Sequence, residues 1–167
     1  MKVIGIDPGY AIVGWSVINY ENSRFVVVDY GAIFTKVDLD FSNRLVQIHK
    51  KLDSVLKLYQ PTEMAIEKLF FNSNRRTALN VAQARGVILL TAKMNDLNYF
   101  EYTPIQVKQS VTGYGRATKK QVIEMTSKIL CLKSSPKPDD VADSLAVAVA
   151  HSHAVGSKLF NFKERKI

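Results

Sequence analysis

The feature that most constrains this chain is its opening, an apolar run that stops on an acid. Val3 to Asp7 reads VIGID, a buried strand, and Pro8 and Gly9 follow it directly. Proline disfavours the helical region for the residue before it, so Asp7 ends the strand extended and the chain must turn at Gly9. A carboxylate at the end of a buried strand then lies at the rim of a sheet. Two more stretches rich in Val and Ile, Val13 to Asn19 and Arg24 to Tyr30, read as strands, with Asn22 and Ser23 as a hairpin turn between them. Three antiparallel strands are expected first.

The pattern then changes period. Phe41, Leu45, Ile48, Leu52, Val55, Leu56 and Tyr59 recur at spacings of three and four and predict a helix that stops before Pro61. Met64 to Leu69 reads as a buried strand, Thr77 to Asn95 as a helix, and Tyr99 to Tyr102 as a short strand. Pro104 starts a short helix carrying Lys108. Thr118 to Leu130 is a helix whose T-x-x-Q start, Thr118 and Gln121, is a capping box. The last helix begins near Pro138. Antiparallel strands followed by strands alternating with helices imply one α/β domain over residues 1–155 with a mixed central sheet. Residues 156–167 form a basic tail, expected to be disordered. No linker or repeat interrupts the domain.

The 167 residues carry 23 Lys and Arg against 15 Asp and Glu, a formal charge of +8, which suits a polyanionic partner such as nucleic acid. The basic residues fall in groups: Arg75 with Arg76, Lys108, and Arg116 with Lys119 and Lys120. Each group could equally be a solvated face. The run Val87 to Leu90 is too short for a bilayer, which needs about 20 apolar residues, and Asp7 and Pro8 break the first apolar stretch too early for a secretory leader. A cytoplasmic protein without membrane contact is expected. Cys131, the sole cysteine, has Leu130 and Leu132 as neighbours and reads as a core residue.

Acids in apolar surroundings are the sharper signal. Asp7 ends VIGID, Glu67 interrupts Met64 to Phe70, and Asp139, Asp140 and Asp143 open a helix that is otherwise apolar and small. Singly, each has a plain role in a turn, on a strand face or at a helix start. Asp143 lies on the same helix face as Asp140 and Asp139, one turn further in. If the strand ends meet this helix, three or four carboxylates converge. Two like charges about 4 Å apart repel by roughly 4 kcal/mol at an effective dielectric near 20. Protonation or a cation must relieve that repulsion. Oxygen donors without thiolates suit Mg²⁺ or Mn²⁺, and a pair of such ions serves phosphodiester hydrolysis. His151 and His153 lie about three turns from Asp140 along the helix and are not expected to be ligands.

IGIDPG, AIEKLFFN, QARGVILL, VKQSVTGYGRATKKQV and PDDVADSLAVAVAHSH, in this order, resemble the RuvC family of Holliday-junction resolvases over about residues 1–155. The DPG turn alone is also similar to the phosphate loop of actin-like ATPases, but such modules need a second phosphate loop and about twice this length. The RuvC resemblance implies a ribonuclease H-like fold with helices on both faces of the sheet, a homodimer, and paired incisions in a four-way DNA junction during recombination and repair. It implies Asp7, Glu67, Asp140 and Asp143 as metal-binding catalytic acids, choosing Asp140 where helical spacing leaves Asp139 open. Lys108 and Lys119 match the family's essential lysines, with Lys119 catalytic. Phe70 matches an aromatic acting at the junction crossover, and Phe71 could share that role. Arg75, Arg76, Arg116 and Lys120 complete the expected DNA contacts. A branch-migration motor is the further partner the resemblance suggests.

The helix after Asn74 carries Ala78, Ala82 and Gly86 at four-residue spacing. Small residues in a row allow close packing, either on the chain's own sheet, the favoured expectation, or on a second copy. Gly113 and Gly115 would let the loop before Lys119 approach a nucleic-acid backbone.

Overall fold

The computed structural model describes residues 1–69 and 75–156, with Arg75 and Arg76 described by their backbone alone. Its elements run β1 (Lys2–Asp7), β2 (Ile12–Glu21), β3 (Arg24–Phe34), α1 (Phe41–Tyr59), β4 (Glu63–Glu67), α2 (Arg75–Met94), β5 (Asn98–Tyr102), α3 (Pro104–Thr112), α4 (Lys119–Ile129) and α5 (Asp139–Gly156). The sheet order is β3-β2-β1-β4-β5. β1 pairs antiparallel with β2, and β2 with β3; β4 runs parallel to both β1 and β5. The antiparallel opening and the mixed sheet are as expected.

Alternation along the strands divides the core in two. Ile4, Ile6, Val13, Val17, Met64 and Ile66 face α1 and α2, where they meet Ile48, Leu52 and Ile88. Val3, Ile18 and Ala65 face the other way, toward Val107, Val122 and Leu145 of α3, α4 and α5. Helices therefore cover both faces. α5 is buried almost all round, because it is sandwiched between the sheet and the pair α3 and α4. Its small residues Ala142, Ala146, Ala148 and Ala150 make that central position possible.

Local signals place most boundaries. Asn22 and Ser23 take positive φ values of 50° and 62° and turn the first hairpin. α1 starts at the cap Asp40, whose side chain accepts from the Asn43 N–H, and stops at left-handed Gln60 before Pro61. α3 and α4 each begin on a complete capping box, Thr103 with Gln106 and Thr118 with Gln121. β3 runs four residues past Tyr30, because Gly31 and Ala32 break the Val-rich pattern without breaking the strand. Gly31 is small for a reason: a Cβ there would stand 3.0 Å from the Trp15 indole. β4 ends at Glu67, two residues before the expected Leu69.

Two expectations fail. Cys131 is exposed, with φ of 52°; it is the left-handed residue just past α4, while Leu130 turns inward. Gly86, in the row with half-buried Ala78 and Ala82, does not pack on the sheet. Ala84, Ile88 and Ala92 carry that contact, and a Cβ on Gly86 would meet nothing within 4 Å. α5 continues to Gly156, and residues 157–167 of the expected tail lie outside the described residues.

Candidate active site

β1 and β4 are parallel neighbours in the register Ile6 to Ile66, so their last residues, Asp7 and Glu67, end adjacent strands at the same edge. The start of α5 is brought over that edge by two glycines. A Cβ on Gly14, the β2 partner of Asp7, would stand 2.0 Å from the Asp140 carbonyl oxygen. One on Gly5 would stand 2.1 Å from the Ser144 carbonyl oxygen. With side chains at either place the helix could not lie so close, and Asp140 and Asp143 would be carried away from Asp7. Both glycines lie outside the candidate residues above, although a glycine inside a strand pattern signals a close backbone approach.

The acids feel one another. Burial first, then the charges of Asp143, Glu67 and Asp140, push the Asp7 carboxyl up to about 8, and Lys119 works against the rise. Burial and Asp143 push Glu67 up to about 7, opposed by Lys108 and Lys119. Burial also raises Asp143, although the ammonium of Lys119 opposes it. Three carboxyls from two strand ends and one helix thus resist losing their protons together, the behaviour of a site shaped for added positive charge.

Lys119 supplies part of that charge. It occupies the first helical position of α4, and its Nζ lies 2.9 Å from Asp143 Oδ2 and 3.5 Å from Asp139 Oδ2. Burial disfavours its charge, but bonds to Asp143 and Asp139 hold its pKa above the ordinary value. Lys108, half-buried on α3, reaches the cluster only through space, by lowering Glu67.

The remaining expected contacts are more scattered. Lys120 turns to Glu124 on its own helix at 3.9 Å. Arg116 is exposed on the loop between α3 and α4. Phe70 and Phe71 lie outside the described residues, as do the side chains of Arg75 and Arg76. His151 is fully buried at the opposite end of β4, with its ring nitrogens at 2.6 Å from the Glu63 carboxylate and 2.8 Å from the Tyr102 hydroxyl.

The donor set fits a hard divalent cation, since each acid brings oxygen ligands and the cluster is short of positive charge. Among the described residues, however, no three acid or imidazole groups form a ready metal cage. Lys119 holds one oxygen of Asp143, Oδ2, at 2.9 Å.

The family model for crossover junction endodeoxyribonuclease RuvC matches residues 3–151. The chain belongs to the RuvC family. A RuvC from Fusobacterium nucleatum, a crossover junction endodeoxyribonuclease, is 50% identical over 159 residues, which cover 95% of this chain and 84% of that one. The structure of Thermus thermophilus RuvC superposes with a TM-score of 0.88 at 32% identity, covering 95% of this chain and 97% of that one. The T. thermophilus RuvC bound to a Holliday-junction substrate gives 0.86 at 30% identity, covering 94% and 96%. The architecture is accordingly the ribonuclease H-like fold of RuvC, with the acidic edge at the meeting point of β1, β4 and α5. Among the described residues, no helix of this RuvC-family chain is long and apolar enough to cross a membrane.

Proposed function

We propose that this chain is a crossover junction endodeoxyribonuclease that resolves four-way DNA junctions as a homodimer in the cytoplasm, with two Mg²⁺ ions per site and Mn²⁺ able to replace them. The observation that carries the reading is the meeting of Asp7 and Glu67, at the ends of parallel neighbours β1 and β4, with the start of α5, where burial and then the neighbouring acids raise Asp7 to about 8. Asp7, Glu67, Asp140 and Asp143 would hold the ions, which when bound supply charge neutralisation and an activated water. Asp7 and Glu67, set at the ends of rigid strands, fix where the scissile phosphate must sit. Lys119, on the first turn of α4, offers its ammonium and nearby backbone N–H groups to a phosphate. Lys108 adds positive potential beside Glu67. Phe70, with Phe71, would stack on bases loosened at the crossover, and Arg75, Arg76, Arg116 and Lys120 would follow the backbone.

A twofold pair of active sites suits a junction, which presents strands of like polarity in pairs. The outer face of α2 supports this assembly. Leu79, Leu90 and Met94 are 68%, 58% and 63% exposed there, on the side that also presents Gly86. Apolar side chains around a small residue allow two helices to approach closely. A branch-migration motor would deliver the junction to such a dimer.

The test is incubation with a synthetic mobile four-way junction, a linear duplex and an RNA–DNA hybrid, with and without Mg²⁺. Symmetric, Mg²⁺-dependent cuts in the junction alone are expected. Preferential cutting of the hybrid, or single nicks by a monomer, would favour a general ribonuclease H-like nuclease.

A further inference from the structure

One carboxylate outside the four proposed ligands reaches the same ammonium. Asp139 and Asp143 stand four residues apart on α5, and Lys119 Nζ bridges them, at 3.5 Å from Asp139 Oδ2 and 2.9 Å from Asp143 Oδ2. The other oxygen of Asp139 accepts from Lys137 Nζ at 3.1 Å, which leaves Oδ2 directed at Lys119. Lys119 opens α4, where the positive end of the helix disfavours a cation. Two carboxylates on the neighbouring helix offset that.

The arrangement sets a conflict. An oxygen of Asp143 held by Lys119 is not available to a metal ion, yet an ammonium driven into solvent would be lost to the phosphate. We propose that Asp139 is a positioning residue for Lys119, sharing the ammonium so that Asp143 can turn to a divalent cation while Lys119 stays at the site. The inference rests on the metal-dependent reading above, in which Asp143 is a ligand. Asp139 side-chain exposure is 45% against 26% for Asp143, so an ammonium moved toward Asp139 stands further out, where the DNA backbone would approach. The i,i+4 spacing makes the transfer a small swing of one lysine along one helix face.

The test compares wild type, Asp139→Asn, Lys119→Ala and the double variant in two assays. The first is calorimetric titration of Mn²⁺ into the DNA-free protein. Asp139→Asn should weaken Mn²⁺ binding roughly two- to fivefold, the range of a half-exposed ion pair, because Lys119 is then committed to Asp143. Lys119→Ala should tighten it, and adding Asp139→Asn to Lys119→Ala should change nothing further. The second assay is single-turnover junction cutting. Asp139→Asn should slow it about tenfold with junction affinity unchanged, Asp139→Glu should restore most of the rate, and no loss should add to Lys119→Ala. If Asp139→Asn weakens Mn²⁺ by the same factor with and without Lys119, Asp139 acts as a ligand or a diffuse charge and the proposal is overturned. A wild type that binds no Mn²⁺ would instead overturn the metal reading, and this inference with it.

Discussion

Neutralising Asp7 should stabilise the metal-free protein while destroying its activity. A carboxyl that ordinarily ionises near 3.8 and here near 8 is charged in the unfolded chain at pH 7 and mostly neutral in the folded one. Keeping it protonated costs folding at most about 4 kcal/mol at that pH. The sign follows from proton counts. Between pH 3.8 and about 8 the folded state holds the extra proton, so stability falls as pH rises through this window. Asp7→Asn removes the penalty, because an amide has no charge to lose on burial. For a chain of this size each kcal/mol moves the melting midpoint by about 2–4 °C. A rise of about 4 °C or more is therefore expected in chelator at pH 7–8, shrinking toward pH 4. Thermal melts of wild type and Asp7→Asn across this pH range, with EDTA or with Mg²⁺, read the effect. Mg²⁺ should raise the midpoint of the wild type more than that of the variant, and junction cutting by Asp7→Asn should vanish while binding persists. An unchanged or lower midpoint for Asp7→Asn in chelator would show that burial and the neighbouring acids do not hold Asp7 protonated, and the case for a cation site would weaken with it.

Gly14→Ala places a Cβ on the Asp140 carbonyl; it should destabilise by about 1–3 kcal/mol in urea melts and abolish cutting even at temperatures where the protein stays folded. Lys119→Ala should slow junction cutting and, measured by filter binding across a salt series, lower the salt slope of affinity by about one unit. If α2 forms the proposed dimer contact, charging its outer face with Leu79→Glu and Leu90→Glu should give a monomer in sedimentation where the wild type is a dimer, with little loss of monomer stability because both residues are exposed. Phe70→Ala should keep its melting temperature but lose most cutting of an intact junction, and unpaired bases built into the crossover should recover part of it, since stacking is worth about 1–3 kcal/mol per base.

The elements were legible where the period was strong or the cap local. α1 follows its apolar spacing, and α4 starts where Thr118 and Gln121 say it must. The mistakes share a cause, that neighbours in sequence do not report neighbours in space. Cys131 between two leucines looks internal, yet the αL turn after α4 points it outward. The small-residue row of α2 suggests close packing but not against what, and the sheet takes the adjacent row instead. Asp7, Glu67 and Asp143 were readable as carboxylates in apolar surroundings. Their meeting depends on parallel pairing of β1 with β4, and on two glycines under α5. The bridge from Lys119 to Asp139 joins residues on separate helices, and no periodicity could have indicated it.

The central burial of α5 has a consequence for how the molecule is made. This helix is made after every strand it covers, and it carries both the final two proposed ligands and the wall that closes one face of the sheet. A nascent or prematurely terminated chain that stops before residue 139 has Asp7 and Glu67 but nothing to set them against, and an open apolar sheet besides. Cutting competence and folding would therefore arrive in the same event. A DNA-cleaving protein so arranged has no partly built form able to attack chromosomal DNA, and an incomplete copy exposes the apolar surface that quality-control proteases recognise.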